Sequence, residues 1–107
     1  MAAGHVVSRA LDFFDAAVKI NPRNEIAYSN AAGIHRVRGR FDQAIACAEK
    51  ALEISPEYAD ACGNLARAYA AKGNKEEARR AYLRLKQIDP SRSGLADSEM
   101  KALGQSR

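Results

Sequence analysis

Ala51-Leu52-Glu53-Ile54-Ser55-Pro56 has two counterparts in this chain, Ala17-Val18-Lys19-Ile20-Asn21-Pro22 before it and Leu85-Lys86-Gln87-Ile88-Asp89-Pro90 after it. Each places an alanine or leucine five residues ahead of a proline and an isoleucine two ahead, with a polar residue on either side of the isoleucine. Pro22, Pro56 and Pro90 are the only prolines, and each step between them is 34 residues. Other columns keep the same phase: Ala10, Ala44 and Ala78; Gly39 and Gly73; Asn30 and Asn64. A fixed period of this length marks a chain built from one structural unit used repeatedly.

Between these punctuation marks the apolar spacing is helical. Ala27, Ala31 and Ile34, with Tyr28 and Ala32, fall three and four residues apart. Ala44, Ile45, Ala48, Ala51 and Leu52 repeat the pattern, as do Ala61, Leu65, Ala68 and Tyr69, and then Ala78, Ala81, Tyr82 and Leu85. Gly39 and Gly73 stand between paired segments, where a helix ends in a left-handed residue. The prolines stand just beyond the second segment of each pair, where a helix stops. Arg36, Arg38, Lys72 and Lys86 fall in last turns and complement the helix dipole. One unit therefore reads as helix, turn, helix, proline break.

These residues resemble the tetratricopeptide repeat family. Residues 25–58 supply Tyr28, Ala31, Ala32, Gly39, Phe41, Ala44, Ala51 and Pro56 of its pattern, and residues 59–92 supply Leu65, Ala66, Tyr69, Gly73, Ala78, Tyr82 and Pro90. The departures are changes of size: His35 where Tyr is usual, Ala48 for an aromatic, Cys62 for Trp or Tyr, and Leu85 for Ala. The resemblance implies an all-α fold, an α–α superhelix of antiparallel helix pairs with about six helices, the last a C-terminal capping helix. It divides a single domain, 1–107, into the second helix of an incomplete repeat (5–24), full repeats at 25–58 and 59–92, and a capping helix with its tail (93–107).

The first unit holds a second helix, about 7–20, without the helix that would precede it. Val7, Leu11, Phe13 and Phe14 are then expected to offer a self-association face, either because the chain is the end of a longer array or because another copy covers it. After Pro90 a closing helix is expected near 95–103, with a frayed end beyond it.

Composition limits the function. A chain of 107 residues is one small domain without room for a large catalytic cavity. Its longest unbroken apolar run, Ala44 to Ala48, is far short of the roughly 20 residues a membrane span needs. Cys47 and Cys62, 15 residues apart, make neither a zinc pattern nor a disulfide framework; they read as reduced thiols of a cytoplasmic protein that could pair if their helices touch. His5 and His35 have no ligand or base partner at helical spacing, and Glu76 and Glu77 are adjacent and point about 100° apart. No catalytic group, metal site or cofactor is expected.

The net charge of +4 is concentrated in residues 59–92, where eight basic residues face four acidic ones. Arg79, Arg80, Arg84 and Lys86, with Lys75 before them, read as a solvated face or as a surface for an acidic partner. The lack of aromatic residues along this helix argues against nucleic acid.

The resemblance assigns ligand binding to the concave wall made by each first helix. By position this is Ile26, Ser29, Asn30, Gly33, Arg36 and Val37, then Asp60, Gly63, Asn64, Arg67, Ala70 and Ala71. The small residues allow close approach, the asparagines can pair with a peptide backbone, and Arg36 and Arg67 can each grip a carboxylate. One subfamily clamps acidic chaperone tails with Lys and Arg in the helix after an Asn. Here Asp60 and Asn64 stand there after Asn30, and Ser93, Gly94 and Ser98 after Asn64, so that clamp is not implied. The expected function is a non-catalytic module binding a peptide, helix or partner domain, which includes an acidic one. The alternatives are an architectural module that self-assembles through its first helix and an accessory domain of a larger enzyme.

Overall fold

The computed structural model describes residues 2–105, with side chains described over 11–104; Val7 and His5 lie outside the described side chains. Six α-helices and one 3₁₀ turn follow in order: α1 (Ala2–Ile20), α2 (Glu25–Val37), α3 (Phe41–Ile54), α4 (Ala59–Lys72), α5 (Lys75–Ile88), the 3₁₀ turn (Pro90–Arg92) and α6 (Ser93–Gln105). No strand occurs among the described residues.

The turns form where the sequence places conformational freedom. Gly39 and Gly73 have φ of +79° and +88°, the left-handed region that costs a side-chain-bearing residue about 1–2 kcal/mol. Around each, the chain closes the helix with two bonds. Gly39 N donates to Arg36 O and Arg40 N to His35 O; Gly73 N donates to Ala70 O and Asn74 N to Tyr69 O. These pairs satisfy last-turn carbonyls that would otherwise lack donors. At the start of α2, the Asn24 side chain accepts from Ala27 N at 3.0 Å.

α2 pairs with α3, and α4 with α5; α3 also packs on α4, and α2 on α4. The molecule measures 38 × 31 × 20 Å, and the shortest dimension is two helix diameters. One layer thus holds α2, α4 and α6, and the other α1, α3 and α5. Twelve of the nineteen buried apolar residues are alanines, so the helices approach closely. Ala48 and Cys62, the small replacements for expected aromatics, are fully buried, and the Cys62 thiol donates to Ala81 O across α5 at 3.2 Å. α1 joins the stack through Phe14, whose ring meets Tyr28 edge-on at 5.3 Å.

Two boundaries differ from the sequence reading. α1 begins at Ala2 rather than near residue 7. The closing helix begins at Ser93 rather than near 95, because the 3₁₀ turn after Pro90 runs straight into it, and it extends to Gln105, past the expected end at Leu103; the last two residues of the expected tail lie outside the described residues. Asp89 starts that turn by accepting from Ser91 N and Ser91 Oγ at 3.2 and 2.5 Å. Ala96 and Leu103 of α6 are buried and seal the end of the core.

Candidate functional site

A cavity of about 220 Å³ opens on the layer formed by α2, α4 and α6. Ser29 and Asn30 come from α2, Asp60, Gly63, Asn64 and Arg67 from α4, Arg92 from the 3₁₀ turn, and Leu95 from α6, with Leu85 beneath. Residues three or four apart on one helix share a face, which is why Asp60, Asn64 and Arg67 line the same wall.

The groove is held by polar contacts between its walls. Asn64 Nδ2 donates to Ser29 O at 3.1 Å, so its amide oxygen remains as an acceptor. Arg67 Nε pairs with Glu99 Oε1 at 3.3 Å. Arg92 reaches Asp60 at 2.8 Å through Nη2 and Asp89 at 3.1 Å through Nε. Behind Arg67, burial and the neighbouring Glu99 carboxylate push the Tyr82 hydroxyl far above its ordinary range, so it stays protonated. The buried Nε of Arg36 and Oε2 of Glu99 are left without hydrogen-bond partners.

Six of the twelve expected wall residues meet in this groove: Ser29, Asn30, Asp60, Gly63, Asn64 and Arg67. Their roles differ from the expectation in places. Ser29 is not an exposed contact: it is 2% exposed, because α4 packs over it and Asn64 of that helix reaches its carbonyl. Gly63 does offer space, since nothing lies within 4 Å of where a Cβ would stand. Gly33 sits against the Asn64 side chain, which would lie 3.8 Å from a Cβ added there. Arg36 is half-buried and does not line the cavity. Val37, Ala70 and Ala71 stand near the far ends of α2 and α4 and do not line the cavity. Ile26 faces the other way, into a separate cavity between α1 and α2.

Arg92, Leu95 and Glu99 were not expected. They follow the last proline, where the repeat pattern ends. One signal pointed to them: Asp60 and Arg92, like Arg67 and Glu99, are opposite charges 32 residues apart, close to the period.

The basic run of α5 is tied into the fold. Arg79 pairs with Glu76 at 3.4 Å, Lys86 with Asp97 at 2.7 Å, and Arg84 donates to Pro56 O at 2.9 Å. Both cysteines are free thiols, and burial raises the pKa of each, which keeps them protonated and poorly nucleophilic. Among the described residues no three His, Cys, Asp or Glu side chains gather to hold a metal. No helix among them is long and apolar enough to cross a membrane. Of the expected self-association residues, Leu11 and Phe14 are half-buried against the stack and Phe13 is 70% exposed.

The family model described as Tetratricopeptide repeat matches residues 38–103, more than half of the chain. The chain belongs to the tetratricopeptide repeat family. Small glutamine-rich tetratricopeptide repeat-containing protein 2 of Saccharomyces cerevisiae is 36% identical over 80 residues, covering 75% of this chain and 23% of the yeast protein. The Hsp70-Hsp90 organizing protein of Triticum aestivum is 32% identical over 105 residues, covering 94% of this chain and 17% of the wheat protein. The chain thus spans about a quarter or less of the length of these curated relatives. Among solved structures, the first TPR of Spaghetti (RPAP3) bound to HSP90 peptide SRMEEVD superposes with a TM-score of 0.88 at 21% identity, covering 96% of this chain and 81% of that one. This likeness is one of fold.

Proposed function

We propose that this tetratricopeptide repeat chain is a non-catalytic protein-interaction module whose α2/α4/α6 groove binds an acidic peptide segment. The observation that carries the reading is that Arg67 of α4 and Arg92 of the 3₁₀ turn line one cavity together with Asn30 of α2 and Asn64 of α4. Arginine grips a carboxylate through two parallel donors, and asparagine can pair with an extended backbone. Arg67 is held by one acid of the chain, Glu99, and Arg92 by two, Asp60 and Asp89; both arginines are about two-fifths exposed, so an incoming carboxylate competes with solvent-screened ion pairs. The HSP90 peptide SRMEEVD bound by the structural neighbour supports an acidic peptide as the ligand class. A groove this short favours micromolar affinity, since few side chains become fully buried.

The test is calorimetric titration with SRMEEVD and with the same peptide carrying Gln for Glu, Asn for Asp and a C-terminal amide. Arg67→Ala and Arg92→Ala should each weaken the acidic peptide about fivefold or more, with helical content unchanged. Equal binding of the neutral peptide, or no loss in either variant, rejects this groove and directs attention to the α5 face.

A further inference from the structure

The two arginines of the α2/α4/α6 groove are held unequally. Arg92 is paired at 2.8 Å with Asp60 and at 3.1 Å with Asp89. Arg67 is paired with Glu99 at 3.3 Å, longer than the roughly 2.8 Å of a well-made charge-assisted bond. A guanidinium grips a carboxylate best through two parallel bonds, one to each oxygen. Glu99 Oε1 takes the long bond from Arg67 Nε, while Oε2 is buried and accepts from nothing. That oxygen has lost water without gaining a donor, which weakens the hold of Glu99 on its place.

The seating of α6 explains the poor fit. This helix packs chiefly on α5 and the 3₁₀ turn. Its Ala96 and Leu103 are buried, and Asp97 meets Lys86 of α5 at 2.7 Å. These contacts position α6 without Glu99, whose side chain reaches to α4 from a helix fixed elsewhere. A second cation stands near: the charges of Arg67 and Arg36 both act on the Tyr82 hydroxyl, as does that of Glu99, and Arg36 Nε is a buried donor without an acceptor. Glu99 is thus a carboxylate of the chain itself, half-bonded in a basic recess of the groove.

We propose that Glu99 is an internal competitor for the ligand: its carboxylate holds the Arg67 subsite in the free chain, and an acidic side chain of the bound peptide takes that subsite over while Glu99 turns out to solvent. The inference rests on the reading of the groove as an acidic-peptide site. The exchange takes place at Arg67 and not at Arg92, because Arg92 has two shorter pairs to give up and Arg67 has one long one. The affinity of the groove is therefore held down by a residue of α6, which can be altered without touching the walls on α2 and α4.

The test is calorimetric titration of the full chain with SRMEEVD and with its neutral counterpart. Glu99→Gln keeps the size and helix preference of the side chain and removes a partly buried charge, so folding is not threatened. It should bind SRMEEVD about fivefold or more tighter than the wild type. Asp97→Asn removes the same charge from the same helix away from the cavity and should change the affinity less than about twofold. In an Arg67→Ala background Glu99→Gln should bring no gain, since no arginine is left to release. If the wild type binds the acidic peptide through Arg67 and Glu99→Gln binds it no tighter, Glu99 is not a competitor, while the groove keeps its role. A gain that Asp97→Asn matches, or that survives Arg67→Ala, overturns the competitor in the same way, because net charge then accounts for it. If neither the wild type nor Glu99→Gln prefers the acidic peptide to the neutral one, the groove is not an acidic-peptide site and the competitor falls with it.

Discussion

His35 shows how a single substitution in the repeat pattern acquires a chemical consequence. It stands where the family usually carries Tyr, with its Nδ1 buried and unpartnered. Desolvation first, then the charges of Arg40 and Arg38, lower its pKa from the ordinary 6.5. The folded chain therefore resists a proton that the unfolded chain accepts. Its contribution to stability is complete above about pH 6.5 and is lost as pH falls through the window below that value. Urea denaturation should show a stability decline from about pH 7.5 to about pH 5.5 that His35→Tyr reduces. Equal slopes in the two proteins would mean that the imidazole is not the responsible group. The residue scale is also where sequence reading reached its limit. Ser29 and Ile26 sit on α2 at positions that the family resemblance assigns to the concave wall. Whether a position is wall, floor or opposite face depends on the neighbouring helices, and α4 covers Ser29 while Ile26 turns toward α1.

At the scale of the element, the helix order and the two glycine turns were legible because each rests on a local cause. A left-handed turn selects glycine, and a proline ends a helix. The closing helix was legible only in outline. Its pairing partners, Arg67 and Lys86, lie 32 and 11 residues away, and no local pattern encodes such contacts. α6 nevertheless bears on the groove, since Leu95 lines it and Glu99 holds Arg67. Leu103, buried at the end of α6, anchors the helix against the core. Leu103→Ala should cost about 2 kcal/mol in chemical denaturation and loosen this wall of the groove. A loss below about 0.5 kcal/mol would show that α6 is held by its surface ion pairs instead.

At the scale of the molecule, stability in such a stack is a sum over neighbours. α4 packs on α2, α3 and α5, whereas α1 packs chiefly on α2. Amide hydrogen exchange should therefore be at least about tenfold faster in residues 11–20 than in α4. Uniform protection would mean that the stack opens only as a whole.

The alanine-filled interior has a further consequence. Where methyl groups alone separate two backbones, there is no spare volume for a larger side chain to take up. Enlarging Ala44, Ala48, Ala66 or Ala78, each without solvent exposure, must push whole helices apart and alter the curvature of the stack. The interior is therefore closed to gradual variation. Adaptation to new ligands falls to side chains on the rim such as Asn30, Arg67 and Arg92, so ligand preference can drift through evolution while the spine stays unchanged.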